Sequence, residues 1–228
     1  DFSILPRVLP VAGALIALPA AFVFLAAIAL GLSSIVAAAL SLAASLIATG
    51  AMHEDGLADM ADGFGGGKDK DDRLRIMSDS RSGAFGIAAL GTMLILRVAA
   101  LGDLGDAHGA FGAAAALLAA GALSRLAAVI PMHLLPPAKD TGRAADVGQP
   151  TFESLAYGVL VALLMTGIIL ALAGFGGRAI GEAVILSLAS AFPIIWLSKR
   201  MIDGQTGDVA GAAQQVAEAV VLLALLMR

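Results

Sequence analysis

His53-Glu-Asp-Gly-Leu-Ala-Asp-Met-Ala-Asp-Gly-Phe-Gly-Gly-Gly67 opens a charged island that runs on through Lys68-Asp-Lys-Asp-Asp-Arg-Leu-Arg-Ile-Met-Ser-Asp-Ser-Arg-Ser-Gly-Ala-Phe-Gly86. The island holds five of the 14 Lys and Arg residues and eight of the 18 acids of a 228-residue chain that is 59% apolar and 14% charged. A soluble domain carries roughly a quarter charged residues. The low charge, the mean hydropathy of +0.92 and the long apolar runs on both sides of the island point to an all-α polytopic membrane protein. The island is then where chemistry meets water.

Outward from the island, the apolar runs divide into about seven transmembrane helices: Val8–Leu30, Ile35–Thr49, Ala84–Leu101, Ala107–Leu134, Leu155–Ala173, Ala179–Met201 and Val209–Met227. The second is expected to continue as helix into the island, and Pro193 to bend the sixth. Continuous runs favour helices over a barrel, which would alternate. The chain reads as one membrane domain, residues 1–228. The N-terminus, the island and the loops 136–151 and 199–208 lie on one side, with ten Lys and Arg residues there, Arg7 included, and two (Arg178, Arg228) on the other. The positive-inside rule makes the ten-charge side cytoplasmic. Asp1 is not an initiator residue, so native residues are expected upstream. Cysteine is absent, which excludes disulfides, thiolate metal sites and a cysteine nucleophile. The net charge of −4 points to no nucleic acid.

Asp55, Asp59 and Asp62 are spaced i, i+4, i+7 and share one helix face. Three stacked carboxylates repel unless neutralised, and Mg²⁺, which favours carboxylate oxygens and bridges to substrate phosphates, does this well. The alternative is a solvated acidic helix end. Gly65-Gly-Gly67 with Lys68 offers backbone N–H groups and a cation to phosphate, or is a plain turn. Arg73 and Arg75 read as scaffold on a short surface helix. Asp79, Ser80 and Arg81 follow, the acid suited to metal and the arginine to phosphate. His53 points away from the acidic face of a regular helix. It reaches that cavity only if the helix bends, and a helix-end histidine without a role is equally open.

Two arginines lie within spans, where each costs roughly 2.5–3.5 kcal/mol on insertion scales. The depth of Arg125 suits a phosphate pocket. Arg97 is expected to snorkel or to pair with Asp103 or Asp106. His108 and His133 are assigned no role. The loop with Asp203 and Asp208, followed by Gln214, Gln215 and Glu218, makes a second acidic cluster on the side of the first, or an ordinary solvated loop. Two acidic clusters on one cavity suggest metal-assisted transfer of a phosphorylated group.

These residues resemble the cobalamin synthase family, the adenosylcobinamide-GDP ribazoletransferases. The resemblance rests on His53–Gly63, Arg73–Met77, Asp79–Gly86, Ser124-Arg125 and Thr206–Gly211, and covers essentially the whole chain. Gln215 departs from it, standing where the family more often has Glu. The resemblance implies an enzyme of the cell inner membrane with its active site facing the cytoplasm. Adenosylcobinamide-GDP and α-ribazole, or its 5′-phosphate, would give adenosylcobalamin, or its 5′-phosphate, and GMP, the ribose 3′-hydroxyl attacking the phosphoryl group. It implies Mg²⁺ on Asp55, Asp59, Asp62 and Asp79, and Arg81 and Arg125 on the phosphoryl oxygens. Lys68, Ser80 and Glu218 would contact substrate, and Asp203, Asp208 or His53 would take the hydroxyl proton. The implied partners are these substrates and membrane lipid; a homo-oligomer stays open.

CDP-alcohol phosphotransferases share acidic helical spacing, but Asp55-Gly-Leu-Ala-Asp59 lacks their Ala-Arg pair. Membrane prenyltransferases also carry two acidic motifs. A transporter would place its charges at the membrane midplane, not at one face.

Overall fold

The computed structural model describes residues 2–139 and 149–227, so the middle of the 136–151 loop lies outside the described residues. A 3₁₀ turn, Phe2–Arg7, leads into α1 (Leu9–Ala29), α2 (Ser34–Thr49), α3 (Met52–Gly66), α4 (Lys70–Ile76), α5 (Ala84–Leu134), α6 (Phe152–Leu172), α7 (Gly177–Ala189), α8 (Ala191–Ile202) and α9 (Gly207–Ala224). Among the described residues the only β pairing is an isolated parallel bridge between Pro137 and Gln205. The all-α membrane bundle expected from the unbroken apolar runs is the observed architecture. Large apolar side chains such as Phe22, Ile95, Leu172 and Ile185 cover its outside, as a lipid-facing surface requires.

Among the described residues four helices are long and apolar enough to cross a membrane: α1, α5, α6 and the α7–α8 pair, with a fifth if α2 and α3 are one broken span. This differs from the expected seven at three places. The third and fourth spans are joined in α5, whose 51 residues would measure about 77 Å if straight, more than twice the roughly 30 Å of a hydrocarbon core. Gly109, at φ 72° and ψ 177°, breaks it into arms 84–108 and 110–134. The second span is only the 16 residues of α2. The last helix carries Asp208, Gln214, Gln215 and Glu218.

The expected continuation of the second span into the island does not occur. Gly50 (φ 62°) and Ala51 (φ 54°) are both left-handed, and α3 leaves α2 at 89°. The motif helix therefore lies across the end of the bundle rather than through it.

The centre of the bundle is α9 with the second arm of α5. Twelve of the 18 residues of α9 are buried, so its polar groups face protein rather than lipid. The α1–α5 contact is backbone on backbone. A Cβ at Gly121 would lie 2.6 Å from the Gly13 carbonyl oxygen, and one at Gly13 would strike the Gly121 carbonyl. Small residues of this kind let membrane helices approach closely. Gly13→Ala should lower the thermal midpoint in detergent, at a cost of about 1–3 kcal/mol from overpacking. Gly91→Ala, in open space on α5, should leave it unchanged or raise it.

The loops sort to two ends. Arg73 Nη1 donates to the Met201 carbonyl at 3.0 Å, Lys139 Nζ to Ser78 Oγ at 2.8 Å, and the Ala138 amide to the Gln205 carbonyl at 2.9 Å. Arg73 thus acts as scaffold, and α4, the start of loop 136–151 and loop 199–208 meet on one face. At the opposite end Asp103, Asp106, His108 and Phe175 line a cavity with Leu225–Met227, His108 stacking on Phe175 at 4.4 Å.

Candidate active site

The bend at Gly50–Ala51 turns the first residues of α3 into the bundle, where Glu54 is 3% exposed. A carboxylate there requires a partner. Arg97, 4% exposed, supplies it: Nη1 donates to Glu54 Oε1 and to Gln215 Oε1, both at 2.9 Å, and Nη2 pairs with Glu218. Gln215 Nε2 donates to Glu54 Oε1 at 3.0 Å, and Gln214 Nε2 donates to Ser124 Oγ at 3.0 Å and to Glu218 Oε2. One arginine so ties α3, α5 and α9 together. This corrects the expectation that Arg97 snorkels or pairs with Asp103 or Asp106. The break at Gly109 folds the arms of α5 side by side, and Arg97 then meets the same turns of α9 as Ser124. Glu54 and Gln214 are further site residues without an assigned role in the sequence. Their signal was a polar side chain within or beside an apolar run.

Glu218, expected on the substrate, is engaged by Arg97 and Gln214. Arg125 is buried too but, among the described residues, donates only to the Gly121 carbonyl, at 3.3 Å. A guanidinium has five N–H donors, so most remain for a ligand. Arg125 lines a narrow cleft with His53, Glu54, Gln214 and Thr49. His53 thus gains a cavity through the bend, but the one holding Arg125.

The acidic face lies on another side of α3. Gly56 and Gly211 let α3 and α9 pack closely; a Cβ at Gly56 would sit 3.0 Å from Asp208 Cα. Asp59 is held up to about 6, first by burial and then by the charges of Asp55, Asp208 and Asp62. Asp55, Asp59 and Asp208 thus share one field. Asp62 points elsewhere: its two oxygens accept the Gly83 amide at 2.6 Å and the Gly86 amide at 2.8 Å, fixing the start of α5. A carboxylate at a helix N-terminus is favoured by the free N–H groups and the helix dipole. Asp62→Asn keeps one acceptor for two amides. It should lower the thermal midpoint by the equivalent of about 1 kcal/mol, equally with and without Mg²⁺.

The remaining expected residues are not drawn in. Asp79 is bound by Arg81, whose Nε and Nη2 donate to it at 3.0 and 2.7 Å, and these bonds hold its carboxyl down at about 2. Arg81 itself is 86% exposed. Lys68 and Ser80 are exposed, and the Lys68 amide donates to Asp72. Asp203 is exposed with φ 50°, closing the C-terminus of α8. The second acidic cluster therefore reduces to Asp208.

Among the described residues no three His, Asp or Glu side chains are grouped closely enough to hold a metal ion. Mg²⁺ does not require this, since it is commonly held by one or two carboxylates together with waters and substrate phosphates. The hard oxygens and mutual repulsion of Asp55, Asp59 and Asp208 fit that mode; Asp62 and Asp79, already hydrogen-bonded, fit it less well.

The family model for cobalamin-5-phosphate synthase matches residues 1–226. The chain is 45% identical over 228 residues to the adenosylcobinamide-GDP ribazoletransferase of Azorhizobium caulinodans, covering 100% of this chain and 85% of the relative. It is 48% identical over 219 residues to that of Xanthobacter autotrophicus, covering 96% and 82%, and 46% identical over 215 residues to that of Mesorhizobium japonicum, covering 94% and 79%. No solved structure matches the chain.

Proposed function

The chain belongs to the cobalamin-5-phosphate synthase family, and from that membership we propose that it joins adenosylcobinamide-GDP to α-ribazole, or to its 5′-phosphate, and releases GMP. The ribose 3′-hydroxyl oxygen bonds to the phosphorus attached to the cobinamide. The P–O bond to GMP breaks, GMP keeps the bridging oxygen, and the hydroxyl proton is lost. Such transfers depend on positioning and charge stabilisation more than on covalent catalysis. The observation that carries the reading is the two-sided chemistry of α3: an acidic face at Asp55 and Asp59, and one residue away Glu54, in the wall of a cleft whose cation is Arg125.

In this reading Asp55, Asp59 and Asp208 would hold Mg²⁺, which when bound neutralises pyrophosphate charge. Arg125 steadies the phosphoryl oxygens from within the cleft. Arg97 keeps Glu54 in place, and Asp62 fixes the junction to α5. Arg81, 86% exposed, and Lys68 stand at the surface, where they can meet a phosphate only as it enters. The site opens to the cytoplasm of the inner membrane, on the side of the ten basic residues.

Purified protein supplied with Mg²⁺, adenosylcobinamide-GDP and α-ribazole should release GMP together with a cobalamin product, and EDTA should stop it. An intact, folded preparation that yields neither would sink the reading.

A further inference from the structure

Glu54 has one oxygen that the bundle leaves over. Oε1 accepts from Arg97 and from Gln215, whereas Oε2 is buried without a hydrogen-bond partner among the described residues. Such an acceptor is costly unless a donor arrives. Glu54 and Arg125 line the same cleft, and Arg125 brings unused N–H groups to it. The cleft admits a group about the size of one water. It therefore suits a hydroxyl, while a sugar ring would stay at its mouth. One wall accepts a hydrogen bond and the other donates to an oxyanion.

The geometry points to a subsite for a ribose hydroxyl lying directly beside a phosphoryl group, with Glu54 Oε2 accepting the hydroxyl and Arg125 donating to the phosphoryl oxygens. Resting on the proposed function, this assigns the 2′-hydroxyl of α-ribazole, vicinal to the 3′-hydroxyl that attacks. The guanosine hydroxyls of the other substrate are separated from its phosphates by the C4′–C5′ bond and fit the pairing less well. Glu54 is thereby a specificity-determining residue for ribosyl over deoxyribosyl acceptors.

The test is a comparison of GMP release from four pairings, wild type and Glu54→Gln, each with α-ribazole and with 2′-deoxy-α-ribazole. In the variant, Arg97 and Gln215 hold the amide oxygen where Oε1 was, so its NH₂ faces the cleft and offers a donor in place of an acceptor. Wild type should favour α-ribazole in kcat/KM by about 10- to 100-fold, the range for a hydrogen bond to a charged group. Glu54→Gln should bring that ratio to within about twofold of unity, read on the folded fraction, since Arg97 loses one of its two buried counter-charges and the thermal midpoint falls. A parallel arm uses the 2′-deoxyguanosine form of the GDP substrate, for which both proteins should show no preference.

Wild-type indifference to the acceptor's 2′-hydroxyl overturns the inference even if Glu54→Gln does not fold. So does a Glu54→Gln ratio equal to that of wild type, in which case Oε2 holds only water, and so does discrimination confined to the guanosine arm. Absence of GMP from the natural pair in wild type is a separate outcome, and defeats the proposed reaction itself.

Discussion

Arg97→Ala is expected to yield no stably folded protein. The substitution leaves Glu54 and Glu218 buried without their counter-charge and removes the donor to Gln215 Oε1. Removing one member of a buried ion pair costs about 3–5 kcal/mol, because the remaining charge stays desolvated. Here two remain. Arg97→Lys should be milder but still destabilising, since an ammonium cannot spread planar donors over two carboxylates and an amide on two different helices. The combination of Arg97→Met with Glu54→Gln and Glu218→Gln removes all three charges together and should recover part of the loss. The readouts are monodisperse yield and thermal midpoint in detergent. If Arg97→Ala melts close to wild type, the network does not hold the bundle together.

Asp59→Asn should do two opposite things, stabilising the protein while depriving it of activity. Asp59 is held up to about 6 by burial and by neighbouring acids, against an ordinary value of 3.8. Between those two pH values the folded protein keeps a proton that the unfolded chain releases, so this group's contribution to stability falls as pH rises. Above about pH 6 the folded state carries the whole penalty of an anion beside Asp55 and Asp208. Asparagine removes it. The variant's midpoint should therefore exceed wild type at pH 8 without Mg²⁺, and the difference should vanish below about pH 4. Adding Mg²⁺ should raise the midpoint of wild type and leave the variant's unchanged. GMP release should fall by about 100-fold or more, given the several kcal/mol that a bound cation contributes to charge stabilisation. Full GMP release by Asp59→Asn would remove Asp59 from any metal site.

The helical class was legible because a lipid-facing helix must be apolar along its whole length, and α1 and α6 are. The meeting of the charged loops on one face was legible too, since alternating spans dictate it, and Arg73, Lys139 and Gln205 make the contacts. Asp59 and Asp208 share one field, as two acidic motifs on one side suggested. Arg97 was misread because its partners stand 43 and 121 residues away, Glu54 turned inward by the bend at Gly50–Ala51 and Glu218 reached across the break at Gly109. Helical spacing placed Asp62 with Asp55 and Asp59, but spacing is blind to the amides of Gly83 and Gly86 that occupy it. Asp79 and Arg81, two residues apart, satisfy each other within their own loop. Asp203 and Asp208 look alike in sequence; the left-handed turn at Asp203 spends one on closing a helix.

The polar character of α9 bears on how the protein is made. A helix carrying Gln214, Gln215 and Glu218 enters lipid poorly by itself, yet it follows α1 to α8 in chain order and leaves the ribosome after them. By then Arg97 and Ser124 have already been synthesised, ready to receive it. The earlier helices thus await α9, and Glu54 and Arg97 acquire their partners Gln215 and Glu218 only once it has been made. A polypeptide stopped short of Gln214 would possess every apolar span and most of the acidic motif while lacking a finished centre.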